Sequence, residues 1–280
     1  MSHTEERSAE AYFEAGKQNL LQRDPYASFS AYTKAIELSA VPLMVEESLE
    51  NLLSIEDSNS RLPGHQWMVD LHHLGLLVKF GGEQAKQEVL ERANADMKKQ
   101  GASCVILAGG SSDEVQDLME SYKALLLDAF KDYHGTIISG GSKTGISKLA
   151  GDLMAAYPDR IRSIGYLPAS RMHYADTDPG RYTEIRTTDG ATFSPREVTQ
   201  YWMDIMASGI EPASVKVVVI NGGRISTTEC KLAAMLGAKV GIIEGSGGEP
   251  PGLLSDAEWM YSPSIIPLAK DAATISSFIK

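Results

Sequence analysis

The chain has 280 residues, a length typical of one or two domains. Apolar residues make up 43% and charged residues 22% of the sequence, which excludes a wholly disordered or fibrous chain. The formal net charge of −11 argues against nucleic acid as a partner, because phosphate chains are repelled by an acidic surface. An anionic ligand would therefore need a local site built from main-chain N–H groups and a few placed cations.

The sequence shows no sign of membrane targeting, metal binding or disulfide bonding. The first six residues are polar and acidic, unlike a signal or transit peptide, and no apolar run approaches the roughly 20 residues that span a bilayer. We expect a cytoplasmic protein with no membrane partner. Cys104 and Cys230 lie far apart and outside any CxxC or CxxH pair, so they are interpreted as buried thiols, and no metal is expected.

Residues 1–99 are predicted to be helical. In residues 12–35, aromatic and small residues follow the spacing of one tetratricopeptide (TPR) unit, with Gly16 allowing two helices to approach and Asp24 and Pro25 opening the second helix. No second copy follows, so we favour a helical hairpin packed on its neighbours over a peptide-binding TPR array.

Further helices are predicted after the hairpin, at residues 46–55, 66–80 and 83–100. The last of these has apolar residues at every fourth position up to Met97. His72 and His73 are adjacent, so on a helix they point about 100° apart and lack the spacing of a zinc-binding pair.

Residues 100–280 alternate between β-branched runs and amphipathic stretches. This alternation predicts right-handed crossovers and a Rossmann-like α/β fold, a parallel sheet with helices on both faces. Residues 168–194 are predicted to be irregular. The five predicted strands are residues 103–108, 135–139, 161–167, 214–220 and 239–244, and the predicted helices are residues 113–131, 145–157, 195–208, 226–236 and 271–279.

A glycine pair follows three of these strands, at the edge where such sheets bind ligands. Glycine lets a phosphate or ribose approach the main chain, and the next helix directs its N–H groups at the anion. The alternative is that the glycines only satisfy the turns. The candidate ligand-binding residues are Gly109, Gly110, Ser111, Ser139, Gly140, Gly141, Ser142, Lys143, Thr144, Gly145, Asn221, Gly222, Gly223, Arg224, Ser226, Thr227 and Glu229.

Two common nucleotide motifs are missing. The chain has no GxxxxGK[ST] sequence, which disfavours a P-loop NTPase. The first turn does not read GxGxxG, which disfavours a dehydrogenase, so no nicotinamide cofactor is expected.

At these turns residues 100–280 resemble the SLOG superfamily of Rossmann-like nucleotide-binding domains. IISGGSKTGISKLAGDL and VVVINGGRISTTE are most similar to the prokaryotic TRPM-like SLOG domains, and the superfamily includes the Lonely Guy phosphoribohydrolases and DprA. The resemblance implies a sensor of a nucleotide-derived ligand such as ADP-ribose or a cyclic isomer, rather than a cofactor enzyme. Related domains serve in bacterial conflict systems beside an effector, so a partner protein or self-assembly is expected here.

The resemblance leaves an enzyme as the alternative function. The phosphoribohydrolases carry PGGxGTxxE, and this chain keeps only Gly222, Gly223 and Glu229 of that motif. Asn221 replaces the proline and Ile225 replaces a glycine where close approach to the main chain is needed. These departures favour a sensor, whereas Glu229 as an acid or base would favour N-glycosidic hydrolysis of a nucleotide.

The predicted irregular stretch carries arginines interleaved with tyrosines. Arg171, Arg181 and Arg186 could clamp a second phosphate beside an aromatic surface. Carboxylates are equally numerous there, so an ion-paired lid is the alternative.

Overall fold

The computed structural model describes residues 8–38, 70–71, 74–75, 83–97 and 103–280. Its contacts divide the chain into two compact units, Met1–Arg92 and Ala93–Lys280. The division falls a few residues earlier than the sequence suggested.

The first unit begins with a helical hairpin of α1 (Ala9–Leu21) and α2 (Pro25–Leu38). The side chain of Asp24 accepts the N–H three residues later at 3.0 Å, so it caps α2 as predicted. The helices cross closely at Gly16, where an added Cβ would lie 3.1 Å from the ring of Tyr32. A larger residue at this position would require the Tyr32 ring to shift.

Two predictions in the first unit lie outside the described residues. These are the helix at residues 46–55 and the pair His72 and His73. Of the helix predicted at residues 66–80, residues 70–71 and 74–75 are described, and they are helical.

Helix α3 (Glu83–Arg92) is shorter than the predicted helix at residues 83–100. The apolar spacing continues beyond Arg92, but the residues that follow belong to the second unit and make contacts within it. The Asn94 N–H donates to the buried Asp204 at 2.9 Å, and Met97 is fully buried. Tertiary hydrogen bonding thus overrides a helical pattern.

The second unit contains a seven-stranded parallel sheet, which confirms the predicted Rossmann-like α/β fold. Its strands are β1 (Cys104–Gly109), β2 (Gly135–Ser139), β3 (Ile161–Pro168), β4 (Glu184–Thr188), β5 (Lys216–Ile220), β6 (Lys239–Ile243) and β7 (Ile265–Leu268). The strand order is β4-β3-β2-β1-β5-β6-β7. The buried Cys104 and Cys230 are free thiols.

The sequence missed the two edge strands, β4 and β7. The central strands are almost wholly buried and read as continuous apolar runs, whereas β4 and β7 are only partly buried and carry polar residues or proline. Strand β4 also shows that residues 168–194 are more regular than predicted.

The helices of this unit pack in two groups around the sheet. They are α4 (Gln116–Glu120), α5 (Lys123–Phe130), α6 (Gly145–Ala156), α7 (Pro195–Ala207), α8 (Arg224–Met235) and α9 (Ala272–Ile279). Helix α5 contacts α6 and α9, and α7 contacts α8. The single helix predicted at residues 113–131 is divided, because Ser121 bonds back to the carbonyl of Leu118 between α4 and α5.

Helix α7 begins as predicted. Ser194 and Glu197 form a reciprocal capping box, and Pro195 occupies the first helical position. Among the helices that the structure describes, none combines the length and apolarity needed to cross a bilayer.

Candidate functional site

A cavity of about 830 Å³ opens at the carboxyl edge of the sheet. One wall is built from the turns that follow β1, β2 and β5. Further lining residues come from the segment after β3 and from the start of α7. Strands β1 and β5 are neighbours whose following helices belong to different packing groups, so the cavity lies at the topological switch point of the sheet.

Most of the predicted site residues line this cavity. Four lie away from its wall: Gly141, Lys143, Gly145 and Thr227. The side chain of Lys143 is exposed to solvent. The residues that do line the cavity are Gly109, Gly110, Ser111, Ser139, Gly140, Ser142, Thr144, Asn221, Gly222, Gly223, Arg224, Ser226 and Glu229.

Most polar groups of the turn after β2 form hydrogen bonds with other groups of the protein. The Gly145 N–H donates to Gln116 Oε1 at 2.8 Å. The Ile146 N–H donates to Gly110 O at 2.9 Å, and Thr144 Oγ1 donates to a main-chain oxygen of the first turn at 2.6 Å. This turn therefore joins neighbouring loops, and the N–H groups of Gly145 and Ile146 at the start of α6 already have acceptors.

Hydrogen bonds to Ser246 hold the turn after β5 in place. Asn221 has a φ of 57°, and its side-chain amide donates to Ser246 O at 3.0 Å. The Asn221 N–H donates to Ser246 Oγ, and the Gly222 N–H donates to Asn221 Oδ1 at 2.7 Å. These bonds hold a left-handed conformation that is uncommon for a residue with a side chain.

The same turn leaves the start of α8 open to the cavity. Gly223 is the N-cap of α8, it offers no side chain to the first turn, and a Cβ added there would meet nothing within 4 Å. The N–H groups of Ile225 and Ser226 lie in the first helical turn, where an α-helix provides no acceptors of its own. The positive end of the helix dipole lies there too, so the geometry suits an anion.

Glu229, one turn further along α8, is a buried carboxyl group in the cavity wall, with 8% of its surface exposed. Burial raises its pKa to about 7, although the hydrogen bond donated by the Tyr201 hydroxyl lowers it. Near neutral pH the group therefore exchanges between a form that donates and a form that only accepts hydrogen bonds.

For the arginines after β3, the sequence left two alternatives open, a clamp for a second phosphate and an ion-paired lid. The structure divides the three arginines between an ion-paired environment and the cavity. Arg181 donates to Asp176 at 2.7 Å, and Arg186 donates to Asp204 at 2.7 Å, so both belong to ion pairs. Arg171 instead lines the cavity. The segment is ion-paired in one part and faces the cavity in another.

A buried carboxylate connects the cavity wall with the residues that follow α3. The hydroxyl of Tyr166, a cavity residue, donates to Asp204, which is fully buried and also accepts the Asn94 N–H. The ring of Tyr166 packs edge-on against Tyr201, with centroids 5.8 Å apart. Asp204 thus connects Tyr166 with Asn94 through hydrogen bonds.

The sequence did not identify Tyr201 or Phe193 as cavity residues. Tyr201 follows the apolar period of α7 and looks like an ordinary core residue. Phe193 precedes the helix cap and carries no pattern at all. Neither position has a local signal that could have revealed its role.

No group of three potential metal-binding side chains occurs among the described residues. Comparison with protein-family models and with curated protein sequences finds no match for the chain. The fold and the cavity define a Rossmann-like α/β domain with a pocket at its switch point.

Proposed function

We propose that the unit Ala93–Lys280 binds a phosphate-bearing, nucleotide-derived ligand, such as ADP-ribose or a cyclic isomer, and that the protein is a sensor of that ligand. The observation that carries the proposal is the open start of α8 at Gly223, which lies in the wall of the cavity at the switch point. The resemblance of the turns after β2 and β5 to SLOG domains agrees with this ligand class.

The turn after β5 favours sensing over hydrolysis. Proline holds φ near −65°, so it could not adopt the φ of 57° seen at Asn221. This turn therefore differs in main-chain conformation from one built on the PGG of the phosphoribohydrolases. Ile225 adds a branched side chain to the cavity wall at the position where those enzymes carry glycine.

The buried Asp204 gives the sensor a route for its signal. A ligand that displaces Tyr166 or Tyr201 changes the hydrogen bonding of Asp204 and, through it, of Asn94. Asn94 belongs to the short segment that follows α3 of the helical unit. The recipient in this proposal is a partner protein or a second copy of the chain, in a cytoplasmic signalling or defence system of bacteria.

Equilibrium titration with ADP-ribose, its cyclic isomers, NAD and AMP tests the proposal. A ligand at 100 times its Kd should stabilise the fold by roughly 2.7 kcal/mol, which a thermal-shift experiment detects. Inorganic sulfate at equal ionic strength is the control for a nonspecific anion effect. No stabilisation by any nucleotide beyond that of sulfate would contradict the proposal.

Glu229 supports a second candidate function, N-glycosidic hydrolysis of a nucleotide. A carboxyl group with a pKa of about 7 in a cavity wall is suited to general acid or base catalysis. Incubation with AMP or ADP-ribose, followed by measurement of free base, separates the two functions. Multiple turnovers that fall at least about 100-fold in Glu229→Gln would establish the enzyme, whereas a sensor releases no base.

A further inference from the structure

Glu229 lies one helical turn beyond the open start of α8 and lines the same cavity. It follows Ile225 by four positions and Ser226 by three, so it lies over the same side of the helix as each of them. Three to four residues rise about 5 Å along a helix axis, and long helical side chains lean toward the N-terminus. The carboxyl group of Glu229 is therefore a close neighbour of an anion held at the start of α8.

No cation pairs with this carboxyl group among the described residues. The Tyr201 hydroxyl donates a hydrogen bond to Glu229 Oε1, and no ion pair between described residues includes Glu229. A phenol hydroxyl is a neutral donor, so it orients the carboxyl group without balancing its charge. An anion at the start of α8 would thus bring a second negative charge close to a buried carboxylate, unless Glu229 is protonated.

The elements packed against α8 are β1, β5, β6, α7 and the 3₁₀ turn Pro250–Leu254. Tyr201 is the group on them that bonds to Glu229, and burial together with this bond sets the pKa of the carboxyl group. The other titratable or charged residues on these elements and on α8 are Cys104, Arg196, Glu197, Asp204, Lys216, Arg224, Cys230, Lys231 and Lys239. Those that line the cavity from elsewhere are Asp113, Tyr166, Arg171 and Tyr174.

The charged and titratable groups closest to Glu229 along α8 do not neutralise it. Lys231 is two positions further on, about 200° around the helix, and its Nζ lies 5.5 Å from the centre of the Trp259 ring. Cys230 is fully buried, and burial raises the pKa of its thiol, so it stays uncharged near neutral pH. Protonation of Glu229 itself is therefore the direct way to remove the repulsion.

Glu229 is close to the midpoint of its titration before a ligand arrives. Burial raises its pKa from the ordinary value of 4.5 to about 7. A second negative charge nearby raises the pKa further, because like charges disfavour the ionised form. By linkage, a pKa that rises on binding makes the affinity for the anion depend on pH.

We infer that Glu229 takes up a proton from solvent when the ligand's anion binds at the start of α8, so that the site binds an anion and a proton together. The inference rests on the proposed function and deepens it, because it gives the sensor an affinity that rises as the pH falls. The neutral carboxyl group also donates a hydrogen bond, which the carboxylate cannot do. Glu229 is in this account the residue that selects the protonation state of the complex.

Calorimetric titration with ADP-ribose at pH 6.0 and pH 8.5 tests the inference. The pyrophosphate diester and the adenine of ADP-ribose do not titrate in this range, so a change in affinity originates in the protein. We expect the wild-type protein to bind about tenfold more weakly at pH 8.5, as for a group whose pKa rises from about 7 to about 8 or 9 on binding. At pH 8.0, titration in buffers of different ionisation enthalpy should show uptake of about half a proton per ligand.

Glu229→Gln identifies the group that takes up the proton. Its amide is neutral at both pH values and keeps a donor and an acceptor, so its affinity should not depend on pH. It should bind ADP-ribose within about threefold of wild type at pH 6.0 and about tenfold more tightly than wild type at pH 8.5. Glu114→Gln, the same change at an exposed position outside the cavity wall, should keep the pH dependence of the wild-type protein.

A wild-type affinity that is equal at both pH values, without proton uptake, would overturn the inference while leaving the binding function intact. A Glu229→Gln variant that retains the pH dependence would also overturn it, as would one that binds more weakly than wild type at pH 8.5. Absence of saturable binding at both pH values would contradict the proposed function as well. The proton-uptake measurement uses the wild-type protein alone, so it decides the inference even if Glu229→Gln fails to fold.

Discussion

The turns that follow β2 and β5 look alike in sequence but differ in the hydrogen bonding of the structure. Each has a Gly-Gly pair between a buried strand and a helix. In the turn after β2, the N–H groups of Gly145 and Ile146 already donate to acceptors in the protein. In the turn after β5, Gly223 leaves the start of α8 without a side-chain cap and facing the cavity.

The difference shows that a glycine-rich turn is not by itself a phosphate site. What matters is whether its N–H groups have acceptors in the folded protein, and that depends on residues distant in sequence, such as Gln116. The turn after β2 supports the architecture, and the turn after β5 is where we place the anion.

The largest expected effect is on stability, in the turn after β2. Gly145 has a φ of 59°, and a Cβ there would lie 2.2 Å from Gly110 O. Gly145→Ala should cost about 3 kcal/mol or more of unfolding free energy, measured by urea denaturation. Gly252→Ala, at an open position, should change it by less than about 0.5 kcal/mol. Similar small effects for both variants would contradict the architectural role of this turn.

The next effect concerns Glu229, in the helix that follows the open turn. Its pKa of about 7 in the folded protein lies above its ordinary value of 4.5, so the folded state holds this proton more tightly than the unfolded state. The resulting stabilisation is complete below pH 4.5 and is lost as the pH rises through 7. Glu229→Gln removes this dependence.

Relative to wild type, Glu229→Gln should therefore gain up to about 3 kcal/mol of unfolding free energy between pH 4 and pH 8.5. Urea denaturation at the two pH values measures the gain. Glu114→Gln, which changes an exposed carboxyl group, should show no such gain. A difference between Glu229→Gln and wild type that is constant with pH would refute the raised pKa.

A substitution at Gly223 separates binding from folding. Threonine is a good N-cap, and its hydroxyl would accept the N–H groups proposed to hold the phosphate, while its methyl group would occupy open space. Gly223→Thr should retain wild-type stability but bind ADP-ribose at least about tenfold more weakly, a loss of roughly 1.4 kcal/mol. Gly252→Thr, away from the cavity, should bind like wild type. Equal affinities of the two variants would contradict the placement of the anion at the start of α8.

The smallest effect is expected for Lys143, in the turn after β2. Its side chain is exposed and lies outside the cavity wall. Lys143→Ala should leave the affinity for ADP-ribose within about twofold of wild type in a calorimetric titration at 0.15 M salt, where distant exposed charges are screened. A tenfold loss would show that the turn after β2 contacts the ligand after all.

The sequence predicted the parallel sheet because its central strands are continuous apolar runs, as in residues 216–220. It missed β4 and β7 because edge strands are only partly buried and lack that signal. It also extended α3 too far, since no local pattern indicates that Asn94 bonds to Asp204. Local sequence specifies the elements, and long-range hydrogen bonds decide where they end.

The same limit applies to the site. The glycine pairs lie at the edge of the sheet where the cavity opens. They could not show which turn is open, because the acceptors come from residues elsewhere in the chain. Nor could they show that Arg171 lacks the carboxylate partners that Arg181 and Arg186 have, because the partners Asp152 and Asp204 lie on α6 and α7, distant in sequence from these arginines.

Amide-resolved NMR of the protein during addition of ADP-ribose tests the central claim most directly. The account predicts the largest chemical-shift changes at the amides of Gly223, Ile225 and Ser226, where the anion is placed. The amides of Gly145 and Ile146 should change little, because they keep their acceptors within the protein. Changes centred on Gly145 and Ile146, with none at Ile225 and Ser226, would contradict it.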